Sequence, residues 1–108
     1  MKLPSDTIID PRKVVEYLLR PAVENDKSNY LALAGYTPTT AFQLLEDTRT
    51  QLLPLEAEVI GPFQYGVKYV IRGFLRGPNG RTLPIRSIWA TLHATGETHF
   101  VTLYPSKP

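Results

Sequence analysis

The chain predicts an α+β fold: N-terminal helices packed on a C-terminal twisted antiparallel sheet of about four strands. Three observations carry this. Apolar residues recur at helical spacing between residues 14 and 52. From residue 57 onward the period shortens to two, the signature of strands with one buried face. The two longest alternating runs are joined by Gly77-Pro78-Asn79-Gly80, which ends in Asn-Gly, the strongest short-range hairpin signal. At 108 residues the chain, taken as residues 1–108, is one domain with enough length for a single core.

Each element has its own local reason. Asp10-Pro11 starts a helix, with Asp as N-cap and Pro at the first helical position. Val14, Val15, Leu18 and Leu19 follow as its apolar stripe, and Pro21 stops it. Asn25-Asp26 caps a second helix over Lys27 to Ala34, with Tyr30, Leu31 and Ala34 on one side and Gly35 as C-terminal cap. Thr39 or Thr40 caps a third, containing Phe42, Leu44, Leu45, Thr48 and Leu52 and ending before Pro54. Glu56 to Gln64 reads as a strand interrupted at Gly61-Pro62, where Pro points to an edge or a bulge.

The meander from Gln64 to Pro105 can be paired residue by residue. A two-residue type I′ loop at Asn79-Gly80 sets Arg76 against Leu83, Arg72 against Ser87 and Lys68 against Thr91. A tight turn at Thr95-Gly96 then sets Trp89 against Thr102 and Ser87 against Tyr104. This register puts Val67, Tyr69, Ile71, Leu75, Ile88, Ala90, Leu92, Val101 and Leu103 on a core face. The opposite face receives Lys68, Arg72, Arg76, Ser87, Trp89, Thr91, Phe100, Thr102 and Tyr104. A three-residue loop with a bulge would instead move every downstream residue to the other face.

That second face is where chemistry is expected. Arg72, Ser87 and Tyr104 fall on three adjacent strands, about 5 Å from neighbour to neighbour. Arginine offers a planar fork for phosphate, and the two hydroxyls can orient a reacting oxygen. Lys68, Thr102 and Arg76 add polar contacts, while Trp89 and Phe100 offer rings for a base to stack on. The competing reading is a helix or loop over this face, with Arg72 structural and Trp89 in a small second core. His93 falls at the turn end and His99 on the core side, neither with a carboxylate orienter nearby in sequence. Read alone, Lys27 is a solvated lysine at the start of a helix.

Composition narrows the classes. The apolar fraction of 43% and charged fraction of 20% are ordinary for a globular chain. No apolar run approaches the roughly 20 residues of a membrane span, and the start lacks a signal-peptide core, so a cytoplasmic location is expected. There is no Cys, no metal-ligand spacing, no phosphate loop and no dinucleotide fingerprint, so no metal or other cofactor is expected. The net charge of +2 conceals an asymmetry: residues 1–60 carry six Lys/Arg against nine Asp/Glu, and residues 61–108 carry six against Glu97 alone. The strand half therefore presents an electropositive surface suited to nucleic acid or an acidic partner.

Two blocks resemble a known group of small bacterial domains. The first is Ile9-Asp10-Pro11-Arg12-Lys13, Tyr17-Leu18-Leu19, Lys27 and Leu33-Ala34-Gly35-Tyr36. The second, more specific, is Tyr65-Gly66-x-Lys68-Tyr69, Gly73, Gly77-Pro78-Asn79-Gly80-Arg81, Arg86-Ser87-x-Trp89 and Val101-Thr102-x-Tyr104. The likeness spans nearly the whole chain. It implies kinship with the barnase–EndoU–colicin–RelE type of ribonuclease fold, in which helices precede a curved sheet that handles RNA. Such domains occur as short proteins or as C-terminal modules of larger toxin-like and phage-related proteins. The matched polar positions are Lys27, Lys68, Arg86, Ser87, Thr102 and Tyr104, with Trp89 as the matched aromatic. Arg72 rests on the register alone, and Arg86 belongs to the pattern although the register turns it toward the core. The chain departs from the group at Ala22-Val23-Glu24-Asn25-Asp26, where relatives usually carry His-Pro and Gly.

Together these observations suggest the toxin of a toxin–antitoxin pair, a metal-independent endoribonuclease. RNA is its expected substrate and an acidic antitoxin its expected partner, with a sheet edge available for homodimerisation. In that reading Lys27, Lys68 or Tyr104 moves protons, Arg72 or Arg86 stabilises developing charge, and Ser87 and Thr102 position the phosphate. The alternatives are a non-enzymatic module that binds a protein and a nucleic-acid binder without cleavage.

Overall fold

The computed structural model describes residues 1–13 and 27–106. Helix α1 spans Lys27–Ala32, a short 3₁₀ turn spans Pro38–Thr40, and α2 spans Ala41–Asp47 and runs on through the wider turn Thr48–Leu52. Four strands follow: β1 Glu58–Phe63, β2 Gly66–Arg76, β3 Thr82–Leu92 and β4 Thr98–Pro105. They form one antiparallel sheet in the order β1-β2-β3-β4. Among the described residues no helix is long and apolar enough to cross a membrane.

The turn at Asp10 forms as its residues suggest, with Arg12 N–H donating to Asp10 Oδ1 at 2.9 Å. The helix expected through Val14, Val15, Leu18 and Leu19, its stop at Pro21 and the cap at Asn25-Asp26 lie outside the described residues. Helix α1 ends two residues earlier than expected, and Gly35 follows at φ +91°, the left-handed conformation of a C-terminal cap. Strand β1 is an edge strand whose register shifts between Val59 and Gly61. That is the behaviour Gly61-Pro62 predicts.

The β2–β3 hairpin corrects the expected register. In a two-residue loop Pro78 would pair with Arg81 and exchange two hydrogen bonds, but proline has no N–H to give. Gly77 takes that place instead: its N–H donates to Arg81 O at 2.9 Å, and Gly80 N–H donates to Gly77 O at 3.0 Å. Pro78 and Asn79 become the middle of a β-turn, and Gly80 adopts φ +88° to close a three-residue loop. The pairing therefore slips by one: Arg76 faces Thr82, Arg72 faces Arg86, and Lys68 faces Ala90.

The β3–β4 connection differs as well. It is a four-residue loop, His93 to Gly96, closed by Leu92 N–H to Glu97 O at 2.9 Å. Val101 then forms an extra residue between the pairs Trp89–Phe100 and Ile88–Thr102. A one-residue slip turns a strand over. Leu83, Ile85, Ser87 and Trp89 consequently face the helices, while Ile88, Ala90 and Leu92, expected in the core, share the other face with Arg86.

The core packs Leu31, Ala34, Tyr36, Leu44, Leu52 and Leu53 against Ile71, Leu75, Leu83, Ile85, Trp89, Phe100 and Leu103. The β2–β3 hairpin tip is tied to the end of α1, with Asn79 N–H on Ala34 O at 3.2 Å and Asn79 Nδ2 on Leu33 O at 3.0 Å. Gly77 permits this approach, because a Cβ there would lie 2.1 Å from the Ala34 carbonyl oxygen. Buried Tyr36 donates to Asp47 Oδ2 at 2.6 Å, and Gln43 Nε2 holds the other carboxylate oxygen at 2.8 Å. Burial and the neighbouring carboxylate push the Tyr36 hydroxyl well above the ordinary tyrosine range. At the far edge Ile8 pairs in parallel with β4, bonding Thr98 O and Phe100 N–H at 2.8 Å each.

Candidate functional site

On the sheet face opposite the main core, Arg72, Arg86 and Tyr104 stand side by side on β2, β3 and β4. The slipped register puts Arg86 on this face in place of Ser87, although the resemblance carried both as matched positions. The next row of this face is Glu58, Val70, Ile88 and Thr102, one residue from each strand. Arg72 and Arg86 are exposed, Tyr104 is half-buried and Thr102 is buried.

Lys27 reaches this group from the first turn of α1. Its Nζ donates to Thr102 Oγ1 at 2.6 Å and lies 4.2 Å from the centre of the Tyr104 ring. The residue is 7% exposed, so it is not the solvated lysine that its polar neighbours suggest. Removal from water lowers its ammonium pKa from the ordinary lysine value. The Arg86 guanidinium lies 5.2 Å from the centre of the same ring. A negative ring face attracts both cations, which brings two positive groups to one phenol. Arg72 Nη1 instead donates to Glu58 Oε2 at 3.1 Å, the ion pair of this group among the described residues.

Several expected residues lie elsewhere. Ser87 is buried on the core face, where its Oγ donates to Ile71 O at 3.0 Å and accepts Trp89 Nε1 at 2.8 Å. Trp89 and Phe100 are buried in an edge-to-face pair with centroids 5.2 Å apart. No base can stack on them, and no phosphate can reach Ser87. All three are corrections that follow from the one-residue slip. Lys68 shares the face but lies four residues along β2 from Arg72, about 13 Å, with its Nζ 5.2 Å from the centre of the Phe63 ring. Arg76 lies four residues beyond Arg72 in the other direction. Its backbone is clamped by Gln51, whose Oε1 accepts Arg76 N–H at 2.7 Å and whose Nε2 donates to Arg76 O at 3.1 Å. His93 is exposed in the β3–β4 loop, whereas His99, expected on the core side, pairs with Ala90 and so shares the face of Arg86, half-buried with Nε2 3.5 Å from Glu97. Glu58 was not singled out by its sequence context, because only the β1–β2 register brings it beside Arg72.

Residues 2–107 match a family described as a Domain of unknown function (DUF6883). The chain belongs to that family. No curated protein matches it. Among solved structures it is similar to a chain of the contact-dependent growth inhibition toxin–immunity protein complex from Klebsiella pneumoniae 342. The identity is 17% and the TM-score 0.60, over 93% of this chain and 100% of that one. At this identity the likeness is one of fold.

Proposed function

We propose that this DUF6883 chain is a toxin-type endoribonuclease that acts on cytoplasmic RNA without a metal and is held in check by a cognate protein. One observation carries the reading: Lys27 and Arg86 converge on Tyr104, with Arg72 one strand further on. Such a cluster concentrates positive charge and provides proton-transferring groups at one place.

The proposed chemistry assigns each of these groups a step. In RNA cleavage of this kind the 2′-oxygen attacks the adjacent phosphorus as its proton departs. A 2′,3′-cyclic phosphate forms, and the P–O5′ bond breaks as O5′ takes up a proton. Burial enlarges the fraction of Lys27 that is neutral, and that form accepts the 2′ proton. The Tyr104 hydroxyl protonates the leaving oxygen. Arg86 stabilises the extra charge on the phosphorane oxygens, and Thr102 holds Lys27 in place through the 2.6 Å bond. The similar solved chain comes from a toxin–immunity complex, which supports a protein partner; an acidic surface on that partner would cover the same cations.

The test is incubation of purified protein, freed of any partner, with total RNA in EDTA. Accumulating fragments with 2′,3′-cyclic phosphate and 5′-hydroxyl ends are expected; RNA that stays intact at high protein concentration refutes the reading. A binding module without catalysis is the second reading, favoured by the exposed position of His93 in the β3–β4 loop and by the approach of His99 to Glu97. It predicts salt-sensitive oligonucleotide or protein binding with no growth arrest when the chain is expressed alone.

A further inference from the structure

Arg72 and Arg86 are direct cross-strand partners, and like charges so placed repel one another. Each is compensated differently. Arg86 lies against the Tyr104 ring and makes no side-chain hydrogen bond among the described residues, while Arg72 turns the opposite way, toward β1, for a single contact with Glu58. That contact uses one guanidinium nitrogen and one carboxylate oxygen, with the two side chains 57% and 72% exposed. An open, one-point ion pair of this kind is weakly held. A phosphate seated between β2 and β3 would accept charge-assisted hydrogen bonds from both guanidinia at once. Glu58 cannot do so, because β2 separates its strand from Arg86.

We propose that Arg72 and Arg86 together form a two-guanidinium subsite that seats the reacting phosphate of single-stranded RNA. In this subsite Glu58 is a built-in competitor: it occupies Arg72 in the empty protein and is displaced when the phosphate arrives. The inference rests on the nucleic-acid reading above and adds a residue that sets affinity. The seating itself makes and breaks no covalent bond; Arg72 exchanges one anion for another. Glu58 is a positioning residue, acting on the substrate only through Arg72.

The experiment is a double-mutant cycle with Glu58→Gln and Arg72→Ala, read as affinity for a 2′-deoxy oligonucleotide that cannot be cleaved. Both residues are exposed, so the variants retain the fold, which circular dichroism verifies. Glu58→Gln is expected to bind on the order of three- to tenfold more tightly at low ionic strength. The gain shrinks as salt rises and is absent in the Arg72→Ala background. With cleavable RNA the same substitution lowers KM rather than kcat. Unchanged or weaker binding by Glu58→Gln, or a gain that persists without Arg72, overturns the inference. So does a hundredfold loss of kcat at unchanged affinity, which would make Glu58 a proton-transfer group. If RNA is never cleaved yet the cycle shows the coupling, the subsite stands and the ribonuclease reading alone fails.

Discussion

Lys27 Nζ donates a 2.6 Å hydrogen bond to Thr102 Oγ1 from 75 positions earlier in the chain. One ammonium thereby joins the start of α1 to β4 and meets the Tyr104 ring on the same face. Replacing Lys27 with Met keeps much of the stem and removes the amine. RNA cleavage is expected to fall at least about a hundredfold, measured as initial rate on a defined oligonucleotide. The stability effect has a definite sign. A lysine whose pKa is lowered by folding binds its proton less tightly in the folded state. The cost of its charge is present below the lowered value and relieved as pH rises from there toward about 10.4. Urea titrations should show a gain for the wild type across that alkaline window which Lys27→Met lacks.

Arg86→Ala is expected to weaken oligonucleotide binding across all sequences and to reduce the slope of log affinity against log salt by about 1, since one phosphate contact is lost. Arg86→Lys should recover the slope but not the full affinity, because an ammonium lacks the planar fork. Filter binding between 50 and 200 mM salt, about the range over which such slopes are read, checks both. An unchanged slope in the alanine variant would remove Arg86 from the interface.

Ser87→Ala separates a core residue from a catalytic one. The substitution leaves Trp89 Nε1 without its acceptor in a buried position. A cost of about 1–3 kcal/mol in urea denaturation is expected, with cleavage per folded molecule unchanged. A catalytic serine would give the reverse pattern, intact stability and lost activity.

Tyr36 provides a pH prediction. Its folded pKa is raised by burial and by Asp47, so the stabilisation is fully present below the unfolded value of about 10 and declines as pH rises above it. Thermal denaturation should show a falling midpoint above about pH 10. Tyr36→Phe should lack that component of the fall. The same variant costs about 1.5–3 kcal/mol at neutral pH, the range for a hydrogen bond to a charged group.

Gly80→Ala and Gly77→Ala test the hairpin that sets the register. At φ +88° an alanine at position 80 is strained by about 1–2 kcal/mol but meets nothing within 4 Å. At position 77 its Cβ would strike the backbone of Ala34, so Gly77→Ala is expected to cost more. Amide exchange at Asn79, whose N–H bonds Ala34 O, should rise most in that variant.

Much of this molecule was legible in its residues. Helical spacing before residue 53 and alternation after residue 57 define the α+β order, because burying one face of a helix or strand demands those periods. Gly35 and Gly61-Pro62 announced a helix end and an irregular edge strand through their backbone limits alone. The basic character of the strand half, Lys27, Arg86, Thr102 and Tyr104 were likewise marked in advance. Tertiary structure decided which of the alternating residues meet. Alternation says that residues two apart share a face but is indifferent to a slip of one. The choice fell to the missing N–H of Pro78 and the left-handed turn at Gly80, which exchanged Ser87 and Trp89 for Arg86. The approach of Lys27 to Thr102, and of Glu58 to Arg72, depends on contacts between segments far apart in the chain, where no local pattern reaches.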